Sequence, residues 1–210
     1  MISQRVGRAV GVLFVLAIGL LGGCASQGEK MVQSYAQTRD SVAESTAEVD
    51  ATIGTLNRLR MTRGEPLNDV FSRYKDQVTK LERQAQTAKS QAQTMKDDQE
   101  LHIKSWQKEM ESITDPTIKA SLESRRKAAR SNFKLIQMYA DDVRKAYEPF
   151  ISGNQQLVKA LSIDLSPAAI SSLSPAIDKV MLDGNKLKER LGAMQQGLNN
   201  IANGVSPLGE

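Results

Sequence analysis

Few side chains in this sequence have types and spacings suited to chemistry. His102 is the single histidine and Cys24 the single cysteine in 210 residues. One imidazole leaves no second histidine for a zinc set, and no Glu-x-x-His pair of the kind that holds two metals in helical bundles occurs. Asp97-Asp98 and Asp141-Asp142 are adjacent in sequence, so on helices they point to different faces and do not converge. There is no Gly-rich phosphate loop and no Ser-His-Asp set to build around His102, which falls opposite Ala129 as a packing residue. The sequence therefore offers no catalytic residues, no cofactor site and no metal site, and the expected class is non-enzymatic.

Cys24 carries a different chemistry. Arg5 and Arg8 precede an uncharged, Val- and Leu-rich run of fifteen residues from Ala9 to Gly23. A permanent span needs about 20 apolar residues, so the run fits a cleaved secretory signal better than an anchor. It ends in Leu21-Gly22-Gly23-Cys24, which resembles a bacterial lipobox. The resemblance implies cleavage before Cys24 and acylation, with palmitate among the expected chains, of its thiol and new amino group. An ordinary signal peptide ending beside a cysteine is the other reading; a sole cysteine at the one position the processing needs speaks against it. Residues 1–23 are then a signal peptide and 24–28 a short lipidated tether. Ala25 and Ser26 follow the cysteine without the aspartate associated with inner-membrane retention. The expected location is the cell envelope, lipid-anchored on the periplasmic face of the outer membrane.

The remainder is long enough for one domain. Setting aside the two leader arginines takes the net charge from +4 to +2, so nothing demands a nucleic-acid partner. Aromatics are scarce, at 4% of residues, and no stretch shows strand alternation, so the expectation is all-α. The clearest stripes run Tyr74, Val78, Leu81, Ala85, Ala88, Ala92, Met95 and, beyond Thr114-Asp115-Pro116, Ile118, Leu122, Ala129, Ile136, Tyr139, Val143, Ala146, Phe150. That period predicts two long helices, about 67–113 and 116–163, folded into a coiled-coil hairpin. Asp115 suits the cap and Pro116 the first turn of the second. Folding the stripes together pairs Ala92 with Tyr139, Ala88 with Val143, Gln99 with Asn132 and Trp106 with Arg125.

A first helix, about 29–61, is read from Tyr35, Val42, Val49, Ile53, Leu56 and Leu59, and a turn at Gly64 ends it. Pro149 should kink the third helix. Ser166-Pro167 starts a fourth, with Pro175 marking a bend or restart, and 204–210 is read as a disordered tail. The expected architecture over 29–203 is an elongated antiparallel four-helix bundle, with a coiled-coil hairpin protruding between helices two and three.

The hairpin tip falls at the same end as Cys24. Trp106, Met110, Ile113, Ile118, Arg125 and Arg126 there form a candidate surface for the membrane or a nearby partner. The alternative is that Trp106 and Arg125 stack across the seam while the other charges are solvated.

Trp106-x-x-Glu109-x-x-x-Ile113, then Glu148-Pro149-Phe150, Leu165 and Ala169-Ile170-x-x-Leu173 resemble an uncharacterised bacterial family of exported, coiled-coil helical proteins labelled only as a domain of unknown function. The resemblance covers roughly Ser34 to Ile201 and implies a helical envelope protein, with no activity or binding residues attached. The leading expectation is a lipid-anchored interaction or scaffold module with an unidentified envelope partner. The alternative is a bundle that binds lipid or another small apolar ligand where Ala85, Ala88 and Ala92 leave room. Tyr139 and Val143 are expected to fill that room, which favours the tightly packed reading.

Overall fold

Proline opens three of the helices, and the residues just before them explain why. Pro66 precedes α2 (Leu67–Met110), where its backbone carbonyl accepts from the N–H groups of Asp69 and Val70. Pro116 begins α3 (Pro116–Ile163); Asp115 Oδ1 accepts from the N–H groups of Thr117 (2.8 Å) and Ile118 (3.0 Å), satisfying donors the first turn leaves free. Pro167 begins the short α4 (Pro167–Ser172), capped by Ser166 Oγ, which accepts from the Ala169 N–H at 3.1 Å. These join α1 (Gly22–Met61) and α5 (Ser174–Val205).

The computed structural model describes the backbone of residues 22–62 and 65–205, and the side chains of residues 30, 32–62 and 65–202. Most of the expected leader, the Gly64 turn and residues 206–210 lie outside the described residues. Helical backbone from Gly22 onward includes 24–28, the stretch read as a tether, and α5 continues into the first two residues of the expected tail. No strand occurs among the described residues.

The fold is elongated and all-α. Forty-eight residues of α3 extend about 70 Å at 1.5 Å per residue. Antiparallel neighbours are fixed by side chains: α1 on α2 through Tyr35 and Gln99 (3.0 Å), α2 on α3 through Tyr74 and Asn154 (2.8 Å), and α1 on α5 through Arg60 and Asp178 (2.6 Å). Glycines let α5 close on α3. A Cβ at Gly153 would sit 2.5 Å from Val180, and one at Gly184 would sit 2.7 Å from Phe150 and 2.8 Å from Ile53.

The structure corrects the expected clean four-helix bundle with a coiled-coil hairpin in two places. First, the described residues form five helices, because the last expected one is interrupted at Leu173. Pro175 brings no N–H to the ladder and crowds the preceding turn, so the chain restarts as α5. Secondly, α2 packs much more closely on α1 than on α3. Hydrogen bonds tie α2 to α3 at both ends, Tyr74 donating to Asn154 and Arg126 donating to Gln107, but the middle does not interdigitate.

The reason lies in side-chain direction. Tyr139 leans on α5, where a Cβ on Gly197 would lie 2.5 Å from its ring, and so leaves Ala92 without the large partner the stripe implied. Gln99 likewise turns to Tyr35 on α1, and the expected pair with Asn132 does not form. α3 is helical through Pro149. The carbonyl four residues earlier, on Lys145, loses its partner there, and this residue is exposed to water.

Candidate functional site

Where α2 and α3 fail to interdigitate, a cavity of about 1130 Å³ opens between them. Ala85, Ala88 and Ala92 form one wall, and Ala140, Val143 and Tyr147 the other. Val42, Ser41 and Ser45 of α1, with Leu191 and Met194 of α5, make the floor. The expectation that Tyr139 and Val143 fill this space is overturned: Val143 borders the opening and Tyr139 packs elsewhere. Tyr147 spans its edge by donating its hydroxyl to the Leu81 carbonyl at 3.0 Å. Burial pushes that hydroxyl's pKa up, and the nearby Glu48 and Glu82 add to the effect.

The floor is polar where it meets α1. Ser34, Thr38, Ser41, Ser45 and Thr52 are all buried on this helix, and small hydroxyl residues let α1 and α2 approach closely. Thr38 and Thr52 return their hydroxyls to the carbonyls four residues earlier, at 2.8 and 2.7 Å. Ser45, 1% exposed, has no hydrogen-bond partner for its Oγ among the described residues.

Charges ring the mouth. Arg83, Lys89 and Lys96 line it from α2 and make no ion pair among the described residues. Arg144 on the α3 side is engaged by Glu148 (3.1 Å) and Asp141 (3.7 Å). Glu82 accepts from Gln155 at 2.7 Å. The arrangement suits an elongated apolar body with a polar or charged end.

A second polar cluster sits between α1 and α2 nearer the turn. Ser34 donates to Asp98, and Tyr35 donates to Gln99 Oε1. Burial pushes the Tyr35 pKa up to about 12. Gln99 Nε2 and His102 Nδ1 are buried without partners among the described residues. Burial holds the His102 pKa below the ordinary value, with Glu109 pulling weakly the other way. Its ring packs 5.4 Å from that of Trp106, tilted by 54°.

The residues singled out at the tip are not alike. Met110 is buried, Trp106 and Ile113 are half-buried, and Ile118 and Arg125 are exposed. Arg126 is mostly covered; Glu123 holds it at 2.9 and 3.0 Å and Gln107 at 2.7 Å. Trp106 therefore packs on His102, and Arg126, one residue beyond Arg125, is the arginine that bridges to α2. The side chain of Cys24 lies outside the described residues.

No described helix is long and apolar enough to cross a membrane, and no group of three His, Cys, Asp or Glu side chains able to hold a metal occurs among the described residues. Sequence reasoning registered the Ala85, Ala88 and Ala92 gap but assigned Tyr139 to it. The signal that redirects Tyr139 is Gly197 on α5, a buried glycine beside Leu198.

No curated protein and no solved structure matches the chain. Residues 23–204 match the family model described as protein of unknown function, DUF2959. With nearly all of its helical length inside that match, the chain belongs to the DUF2959 family.

Proposed function

We propose that this protein is a non-enzymatic helical module of the cell envelope that takes up an apolar ligand between α2 and α3. The observation that carries the reading is the 1130 Å³ cavity, walled by alanines and floored by Val42, Leu191 and Met194. Small-molecule sites typically measure about 300–1,000 Å³ and are mostly apolar with a few placed polar groups. This cavity has that composition and exceeds that size. The direct test is binding of a fluorescent apolar probe such as N-phenyl-1-naphthylamine to wild type and to Ala88→Phe. Probe fluorescence should rise with wild type and much less with the variant, and no rise with wild type would refute the reading.

Anchoring is a separate part of the proposal. Leu21-Gly22-Gly23-Cys24 supports a lipid on Cys24, and Ala25-Ser26 supports the outer membrane as its destination. Two or more acyl chains make attachment durable, at about 0.8 kcal/mol per buried methylene. Cys24→Ser should stop processing and move any cleaved protein out of the membrane fraction. Wild-type protein found wholly in soluble periplasmic extract would defeat the anchoring.

A second reading, contact with another envelope protein, draws on the exposed apolar side chains Ile118 and Leu101, each 53% exposed, near the turn. A photocrosslinker at Ile118 should then trap one discrete partner in cells, and none at a control position such as Lys159.

A further inference from the structure

We propose that the ligand of the α2–α3 cavity is an anionic phospholipid, with its acyl chains between the helices and its phosphate against Lys89, flanked by Arg83 and Lys96. The proposal rests on the reading of the cavity as an apolar-ligand site and adds the charge and class of the ligand. Three observations support it. The space is larger than the usual range for a compact small molecule, and it is elongated, following two long helices from the level of Thr79 to that of Lys96. That interval is about 25 Å at 1.5 Å per residue, of which the stretch from Lys89 back to Thr79 gives about 15 Å, enough for most of an extended acyl chain.

The charge is lopsided in a way the protein itself does not resolve. On the α3 side the one cation lining the cavity, Arg144, is shared by Asp141 and Glu148. On the α2 side Arg83, Lys89 and Lys96 border the mouth without ion-pair partners among the described residues, while the neighbouring Glu82 is bonded to Gln155. Six and seven residues separate these cations, about 9–10 Å along one helix, so a single phosphate would sit at one with the others supplying field. Lysine binds phosphate well as a point charge.

The floor supplies the third observation. Ser45 borders the cavity floor and is 1% exposed, and its Oγ has no partner among the described residues. A buried hydroxyl without a hydrogen bond is costly. A glycerophospholipid carries ester oxygens at the boundary between head and chains, which a hydroxyl on the floor can meet. A plain hydrocarbon has none.

The test is native mass spectrometry of the full-length chain released from detergent micelles. Dipalmitoyl phosphatidylglycerol, dipalmitoyl phosphatidylcholine and free glycerol phosphate are titrated in parallel. Phosphatidylglycerol should bind one per chain and about tenfold more tightly than phosphatidylcholine, as expected of a few exposed charge contacts. Lys89→Glu/Lys96→Glu should abolish the preference and leave phosphatidylcholine binding in place; both lysines are exposed, so the fold is not at risk. Ala88→Phe should weaken both lipids, and circular dichroism of each variant separates lost binding from lost structure. Equal binding of the two lipids to wild type would overturn the anionic assignment and leave the apolar site standing. Binding of neither lipid would overturn both. Free glycerol phosphate competing as well as the intact lipid would overturn the role given to the chains.

Discussion

The two halves of the molecule are built on opposite principles. Toward the loops joining α1 to α2 and α3 to α4, large side chains close the interior. Leu56, Leu59, Tyr74, Phe150, Leu161 and Ile177 are almost fully buried, and glycines at 153 and 184 bring α5 against them. Toward the turn at Asp115, buried positions on α1 include the hydroxyls of Ser34, Thr38, Ser41 and Ser45 beside Val42, and those on α2 include Gln99 and His102, while alanines face an opening. Among the described residues, the buried side-chain atoms without partners, on Ser45, Gln91, Gln99 and His102, belong to this half. The difference is one of commitment. Dense packing stabilises one arrangement, whereas small residues and unpaired polar atoms leave room and bonding capacity for something else. A long helical protein can devote one end to stability and the other to binding, because each stretch of helix contacts only its local neighbours.

The sharpest way to break this contrast is at Phe150. It is fully buried against Gly184, so Phe150→Ala should cost about 3–5 kcal/mol in urea denaturation. A loss below about 1 kcal/mol would mean that this end is no better packed than the other. Tyr74→Phe should cost less, about 1–3 kcal/mol, because it leaves Asn154 Oδ1 buried without its donor. The other amide group of Asn154 is held on the Phe150 carbonyl at 2.8 Å, so the side chain cannot simply turn away.

Ala88→Leu tests the open half. Added methylenes in a filled core cost about 1–3 kcal/mol. Beside the cavity the change should fall within about 1 kcal/mol of wild type, in either direction. A loss as large as that of Tyr74→Phe would show that α2 and α3 close on one another in solution.

What could be read from the sequence follows the same division. The bounds of α3 match expectation at both ends, because Asp115-Pro116 and Asp164 act through local backbone chemistry. The start of α2 after Pro66 and the cap at Ser166 are local in the same sense. The split at Leu173 needed the balance between a long apolar stripe and Pro175, and the proline prevailed. The cavity was beyond a pairwise reading. Whether Tyr139 fills the gap depends on a third helix, where Gly197 offers a closer seat. Gln99 found Tyr35 for the same reason: a helix in a bundle has two neighbours, and a stripe does not say which one a side chain prefers. The tip suffered likewise, since Trp106 packs on His102 of its own helix.

The smallest expected effect sits at His102, and it probes whether the polar half is held neutral. Burial lowers the folded-state pKa of this imidazole, with the carboxylate of Glu109 opposing more weakly. The unfolded chain, with an ordinary value of about 6.5, therefore binds a proton at a pH where the folded chain does not. Stability rises with pH wherever the unfolded state holds more protons. His102 thus contributes nothing adverse above about pH 7, and it lowers stability as the pH falls through about 6.5 toward its folded value. Glu65, Glu123 and Asp164 also have lowered values, set by Arg58, Arg126 and the Ser166 backbone respectively, but these carboxylates lose their contribution only in the more acidic range. The two windows are therefore separable. Between pH 7 and 5 the wild-type midpoint in urea should decline, while His102→Gln, which cannot titrate, should stay level. Parallel profiles for the two proteins would mean that water reaches Nδ1 freely, and the half of the bundle around Gln99 and Trp106 would then be more open than its side-chain burial implies.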